Sequence, residues 1–176
     1  MKTIVFILIS YLVLTCSDMK QNETSNFQLK LQYDHRERSK DSNSQTTTLN
    51  IKNRIIDYSV THGGRNARPN IATKFEMTEE TENKLIEYIK QQELNRNIKE
   101  HIKDVSPGIN GSVILEIKID STTTKSDISG AVNPWGSEEY LKKQNKKTLK
   151  HKKYYEKIHS LLVFMKLYLG FEEIEI

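Results

Sequence analysis

The chain has one cysteine, Cys16, and neither Cys-x-x-Cys nor His-x-x-x-His spacing among its 176 residues. A lone cysteine cannot form a disulfide within the chain, and without metal-ligand spacings a zinc site has no support. Phosphate-cradling glycine loops such as Gly-x-Gly-x-x-Gly are absent as well, so nothing in the sequence indicates a nucleotide site. We therefore expect no metal and no cofactor.

The N-terminus has the layout of an export signal. Lys2 precedes an apolar run from Ile4 to Leu14, and the chain becomes polar at Ser17. A membrane-spanning helix needs roughly 20 apolar residues, whereas this run has the length of a signal-peptide core. The sequence therefore predicts that residues 1–15 are a signal peptide.

The tetrad Val13-Leu14-Thr15-Cys16 resembles the lipobox of bacterial lipoproteins, with Val13 and Thr15 where lipoboxes usually have leucine and a glycine or alanine. The resemblance implies that Cys16 becomes the lipidated first residue of the mature protein. This lipid would then attach the protein to a membrane, either the bacterial cell membrane or the outer membrane.

An ordinary cleaved signal is the alternative to lipidation. The small residues Thr15 and Ser17 flank Cys16, and cleavage after Ser17 would discard the cysteine and give a secreted protein. We favour the lipid anchor because a single cysteine at this position otherwise has no role.

Composition divides the remainder into a tether and a domain. Residues 16–25 have too few apolar side chains to pack, so we expect a lipidated N-terminus on a flexible tether. Residues 26–176 are interpreted as one domain. At about 150 residues such a domain can bury a sufficient core without disulfides.

Alternating polar and apolar residues predict the strands. The pattern occurs in the runs Phe27–Tyr33, Thr48–Val60, Ile71–Met77 and Ser112–Asp120. The second run changes parity near Arg54–Ile56, which predicts a β-bulge, and Arg36–Ser44 reads as a loop. Asn110-Gly111 predicts a turn. The polar, β-branched run Thr122–Val132 predicts a weak edge strand.

Two segments have helical periodicity. The first follows Thr78, a candidate N-cap, and its apolar stripe continues to Ile102. The second extends from Glu138 to Leu169, with Gly170 as its C-cap. Strands and helices together predict an α+β fold, in which an antiparallel sheet of about five strands carries two helices on one face.

Positive charge is concentrated in the second predicted helix. The whole chain has 27 basic and 23 acidic residues, but the segment from Glu138 to His159 has eight lysines and three glutamates. A solvated helix face is the favoured interpretation, and an acidic protein is the candidate partner if this surface binds one. Nucleic acid is not expected, because the segment has no arginine. The candidate partner-binding residues are Lys146, Lys147, Lys150, Lys153, Trp135, Arg65 and Arg68.

No catalytic residue is predicted. His62-Gly63-Gly64 resembles the backbone donor loop of some esterases, but the chain lacks their Gly-x-Ser-x-Gly turn. The favoured hypothesis is a non-enzymatic binding module of the immunity, inhibitor or surface-accessory type. The rival is a small envelope hydrolase with a site near His62, for which Asp57 is the candidate partner. A pocket joining His62 to a carboxylate and a nucleophile would favour the hydrolase.

Overall fold

The computed structural model of the chain describes residues 25–37, 44–64, 67–101, 109–131 and 146–175. The strands are β1 (Gln28–Glu37), β2 (Ser44–Lys52), β3 (Ile55–Gly63), β4 (Ile71–Glu76), β5 (Ile98–His101), β6 (Ile109–Ile119) and β7 (Thr122–Ala131). The helices of this described part are α1 (Glu79–Gln91) and α2 (Lys146–Leu169). The predicted α+β class is confirmed, with seven strands instead of about five.

The strands form one sheet in the order β4-β3-β2-β1-β6-β7-β5. Neighbours are antiparallel except β5 and β7, which are parallel. The prediction that Thr122–Val132 is an edge strand is wrong, because β5 lies outside β7. Ile98 was expected to continue a helix and instead begins this outer strand.

One face of the sheet builds the hydrophobic core. Leu31 lies opposite Leu49 on β2 and Leu115 on β6, and each of the three is at most 1% exposed. Both helices bury apolar side chains in the same cluster: Leu85 and Ile89 from α1, and Ile158, Leu161 and Met165 from α2. The prediction of two helices on one face is therefore confirmed.

The predicted second strand is a hairpin of two strands. Asn53 and Arg54 connect β2 to β3 with positive φ angles of 51° and 62°, which is the backbone of a two-residue type I′ turn. The bulge predicted near Arg54–Ile56 is wrong. Odd-numbered residues face the core before the turn and even-numbered residues after it, so a hairpin turn produces the same change of pattern as a bulge. Glycine normally occupies the second turn position, and arginine there hid the turn from a sequence reading.

Helix α1 begins as predicted and ends earlier. The Thr78 hydroxyl accepts a hydrogen bond from the Thr81 amide at 3.2 Å, as an N-cap does. The helix stops at Gln91 because Glu93 has a φ of 54° and Leu94 N–H donates to Ile89 O at 3.0 Å. This is a Schellman-type C-cap, with the residue after the cap in the left-handed conformation.

Asn110 and Gly111 lie inside β6, so the turn predicted there is wrong. Both pair with the end of β1, and Gly111 adjoins a register shift between β6 and β7. Arg36 was predicted in a loop and instead extends β1. Glycine is common where a strand has a bulge or a register shift. Because Asn-Gly is also typical of turns, the sequence alone did not distinguish the two.

Helix α2 ends as predicted. Gly170 has a φ of 78°, which a residue with a Cβ atom rarely adopts, and Phe171 N–H donates to Met165 O at 3.2 Å. The predicted start of this helix at Glu138 and the turn before it lie outside the described residues. Beyond the helix, Phe171 and Ile174 return to the core and are 8% and 0% exposed.

Candidate functional site

His62 and Asp57, the pair considered for a hydrolase, lie on opposite faces of β3. Asp57 is exposed and its carboxylate lies 3.3 Å from the ammonium of Lys74. His62 faces the helices, and its side chain is 9% exposed. Successive strand residues point to opposite faces, so residues five apart cannot meet. The structure does not bring these two side chains together.

His62 instead contacts the end of the chain. Its Nε2 lies 3.6 Å from Oε2 of Glu175, and its Nδ1 lies 3.2 Å from the carbonyl oxygen of Pro69. A carbonyl oxygen only accepts, so the second contact requires a proton on Nδ1. The backbone N–H of Glu175 donates to the Tyr58 hydroxyl at 2.9 Å. These contacts hold the last residues against β3.

The C-terminal segment is fixed by several further contacts. Lys166 donates from Nζ to Ile174 O at 2.8 Å, and the ring of Phe171 lies 5.0 Å from that of Phe75. Burial raises the pKa of the Tyr58 phenol, so this hydroxyl stays protonated around neutral pH. A protonated phenol and an imidazole–carboxylate contact hold the C-terminal segment against β3 here.

A second polar cluster surrounds Glu82, a carboxylate in the first turn of α1 that is 5% exposed. Arg54 donates from Nε to Glu82 at 3.1 Å and from Nη2 to Glu79 at 3.1 Å. The Ser25 hydroxyl also donates to Glu82. The hydrogen bond with Glu82 raises the pKa of the Arg54 guanidinium. The cluster therefore joins the β2–β3 turn, the start of α1 and the residue where the predicted tether meets the domain.

A shallow cavity of about 210 Å³ opens beside this cluster, with Phe27, Ile119 and Asp120 in its wall. Drug-sized ligands usually occupy cavities of about 300–1,000 Å³. The buried carboxylate has its charge neutralised by Arg54 and a hydroxyl donor, as buried charges require. The cluster is therefore best explained as a structural clamp.

The candidate partner-binding residues are only partly within the described chain. Helix α2 includes Lys146, Lys147 and Lys150. Lys153, further along the same helix, is exposed. Arg68 is exposed before β4. Cys16, Arg65 and Trp135 lie outside the described residues. The structure therefore gives Lys153 and Arg68 accessible side chains and does not place them in a common site.

Lys157, in the same basic segment, has a structural role. Its Nζ donates to Gln92 O at 2.6 Å and lies 3.9 Å from Glu93. This side chain therefore ties α2 to the C-terminal end of α1. Not every lysine of the segment belongs to a solvated surface.

The outer face of the sheet is polar and accessible. One row across it runs Lys74, Asp57, Asn50, Lys30, Glu116 and Lys125 in adjacent strands. Lys30 lies 3.9 Å from Glu116, and Asp34 accepts hydrogen bonds from Ser112 at 2.7 Å and Gln32 at 3.2 Å. The row thus contains two ion pairs, Lys30–Glu116 and Asp57–Lys74, and Gln32 and Thr48 are exposed beside it.

A row of stacked aromatic rings runs from the half-buried Tyr88 and Phe164 to the exposed Tyr168. Tyr88 of α1 stacks on Phe164 of α2 with ring centres 4.0 Å apart, and Phe164 stacks on Tyr168 at 5.7 Å. Tyr168 is 76% exposed and Leu167 is 65% exposed. The rings recur at four residues along α2, so periodicity alone could not separate a stacked surface row from a core row.

Within the described residues, no group of three or more histidine, cysteine, aspartate or glutamate side chains could hold a metal ion. Neither described helix is long and apolar enough to cross a membrane. Compared with protein-family models and with curated proteins, the sequence has no match.

Proposed function

We propose that the protein is a lipid-anchored bacterial envelope protein that acts as a non-enzymatic binding module for a protein partner. The observation that carries the proposal is the broad outer face of the sheet, on which polar side chains such as Lys30, Gln32 and Thr48 are exposed while both described helices pack on the other face. A surface of this kind can meet a folded partner without disturbing the core. Cys16 would supply the anchor.

The chemistry of the outer face supports a protein partner. Hydroxyl and amide side chains, among them Thr48, Gln32 and Asn50, alternate with the ion pairs Lys30–Glu116 and Asp57–Lys74. Protein interfaces of moderate affinity are about as polar as the rest of a protein surface. Paired charges of both signs favour a partner with a mixed surface over a polyanion such as nucleic acid.

The anchor is tested by metabolic labelling with a fatty-acid probe. Wild type should carry the label and sediment with membranes, and Cys16→Ser should lose both properties, since two or more acyl chains give stable membrane attachment. Membrane retention without label in wild type would contradict lipidation.

The binding face is tested by site-specific photo-crosslinking in intact cells. A photo-reactive residue at Thr48, on the outer face, should give a discrete crosslinked species, and Thr48→Arg should weaken the same interaction when probed from Gln32. Lys153, exposed on α2, is the matched position on the opposite side. Crosslinking from Lys153 alone would move the interface to the lysine helix, and no product from either position would contradict the binding module.

A further inference from the structure

Among the described strands, β4 is one edge of the sheet. It pairs with β3 in continuous register from Ile71 to Glu76, and no described strand lies on its other side. Natural proteins commonly protect such edges with proline, a bulge or charged side chains, especially lysine. β4 has no proline and no register shift. Its one lysine, Lys74, already has a partner in Asp57.

The backbone groups that face away from β3 can be assigned from the ladder. Met77 N–H donates to Arg54 O at 2.8 Å, so the backbone N–H of Met77 is directed toward the β2–β3 hairpin. Hydrogen-bonding direction alternates along an antiparallel strand. Ile71, Thr73 and Phe75 therefore face β3. Ala72, Lys74 and Glu76 direct their N–H and C=O groups outward.

A second copy of β4 fits these outward groups in one register especially well. In an antiparallel pair, residues whose backbone groups point toward the partner strand lie opposite one another. Ala72, Lys74 and Glu76 of one copy must therefore lie opposite members of the same set in the second copy. When the axis passes at Lys74, two lysines face each other. When it passes at Phe75, Lys74 of each copy faces Glu76 of the other, and the two Phe75 rings meet on the core face. Opposite charges directly across a strand pair are stabilising, and like charges are destabilising.

We propose that β4 is a homodimerisation edge, in which two copies pair antiparallel about Phe75 and continue the sheet across both molecules. Lys74 then lies between Asp57 of its own chain and Glu76 of the second copy, which extends the charge alternation of the outer face. Pairing over so few residues buries less surface than a standard stable interface. The dimer is therefore weak, and this inference does not depend on the proposed lipid anchor.

Disulfide trapping in the oxidising envelope tests the register. Residues in a non-hydrogen-bonded antiparallel pair have Cα atoms about 4.5 Å apart, which lies within the range that a disulfide bridges. Phe75→Cys should give a covalent dimer on a non-reducing gel. Ile71→Cys, on the same strand and also half-buried, should not, because this register gives it no Ile71 opposite. Wild type controls for any disulfide through Cys16.

Charge exchange tests the same register without touching Phe75. Lys74→Glu should abolish the dimer seen by sedimentation at protein concentrations up to about 1 mM, and adding Glu76→Lys should restore it. Lys30→Glu, which removes an equally exposed lysine from an ion pair in the middle of the sheet, should leave it unchanged. Monomer at every concentration, a dimer insensitive to these charges, or equal trapping from Ile71 would overturn the proposal. An extended peptide from another protein trapped at Phe75 would overturn it as well.

Discussion

On the face of the sheet that the helices cover, Leu31 lies between Leu49 and Leu115, and all three are buried. On the other face, one residue along the same strand, Lys30 lies between Asn50 and Glu116 and its side chain is 62% exposed. Buried and exposed side chains thus alternate along the same strands, and the exposed ones form the proposed binding face. Substitutions one position apart should therefore separate effects on stability from effects on binding.

The largest contrast is expected within β6. Ile117 is 1% exposed in the core, so Ile117→Ala should lower the free energy of unfolding by about 2–5 kcal/mol through lost burial and a cavity. Lys118 faces outward, and Lys118→Ala should change it by less than about 0.5 kcal/mol. Urea denaturation of both variants measures the difference. Equal effects would show that the faces are assigned wrongly.

Arg54 has one buried and one exposed carboxylate partner, so the two can be compared around a single guanidinium. Glu82 and Glu79 both lie 3.1 Å from Arg54, but their side chains are 6% and 68% exposed. Glu82→Ala leaves the Arg54 guanidinium and the Ser25 hydroxyl without their buried acceptor, and it should lower stability by about 1–3 kcal/mol, toward the lower end because Arg54 is partly exposed. Glu79→Ala should lower it by less than about 0.5 kcal/mol. A larger loss from Glu79→Ala in thermal unfolding would refute the clamp.

The core face also contains an unfavourable group. The hydroxyl of Tyr155 has no hydrogen-bond partner in the described part of the chain, and the residue is 3% exposed. Removing an unsatisfied buried group while keeping the ring should help, so Tyr155→Phe should raise stability by about 1 kcal/mol. Chemical denaturation at neutral pH tests this, and a loss of stability would indicate that the hydroxyl has a partner.

The same residue predicts a pH dependence. Burial raises the pKa of the Tyr155 phenol, so above the ordinary value of about 10 the unfolded chain loses this proton while the folded chain keeps it. Ionisation of this phenol therefore leaves stability unchanged below about pH 10 and lowers it as the pH rises further. Tyr155→Phe should weaken the alkaline decline. Tyr33, Tyr58 and Tyr154 have pKa values raised in the same direction, so part of the decline should remain. Identical slopes above pH 10 would contradict the assignment.

The smallest effect on stability is expected for the lysine helix. Reversing Lys146, Lys147, Lys150 and Lys153 to glutamate should change the unfolding free energy by less than about 0.5 kcal/mol per site. Lys157→Ala, which loses the bond to Gln92 O, should cost more than Lys153→Ala. If the helix recognises an acidic partner, the reversed variant should also lose partner binding, and wild-type binding should weaken as salt rises. Salt-resistant binding by the reversed variant would leave the outer sheet face as the interface.

Local sequence accounts for the features that depend on near neighbours. The period-2 pattern identified the inward residues of β1, β4 and β6, Thr78 was recognised as an N-cap, and Gly170 as the end of α2. Each follows from alternation in a strand or from unsatisfied groups at a helix end. The same reasoning predicted the fold class, because strands and helices with one apolar face have few ways to bury it.

Tertiary structure decided what local patterns could not. Arg54 and Glu93 adopt positive φ angles that usually belong to glycine. Arg54 does so while its side chain reaches Glu82, 28 residues away. The segment after α1 became β5 by pairing with β7, and Glu175 reached Tyr58 across 117 residues. Sequence determined which side of each element is apolar, because that depends on period. Which elements meet, and hence where His62 finds its carboxylate, depended on contacts between distant residues that no local period encodes.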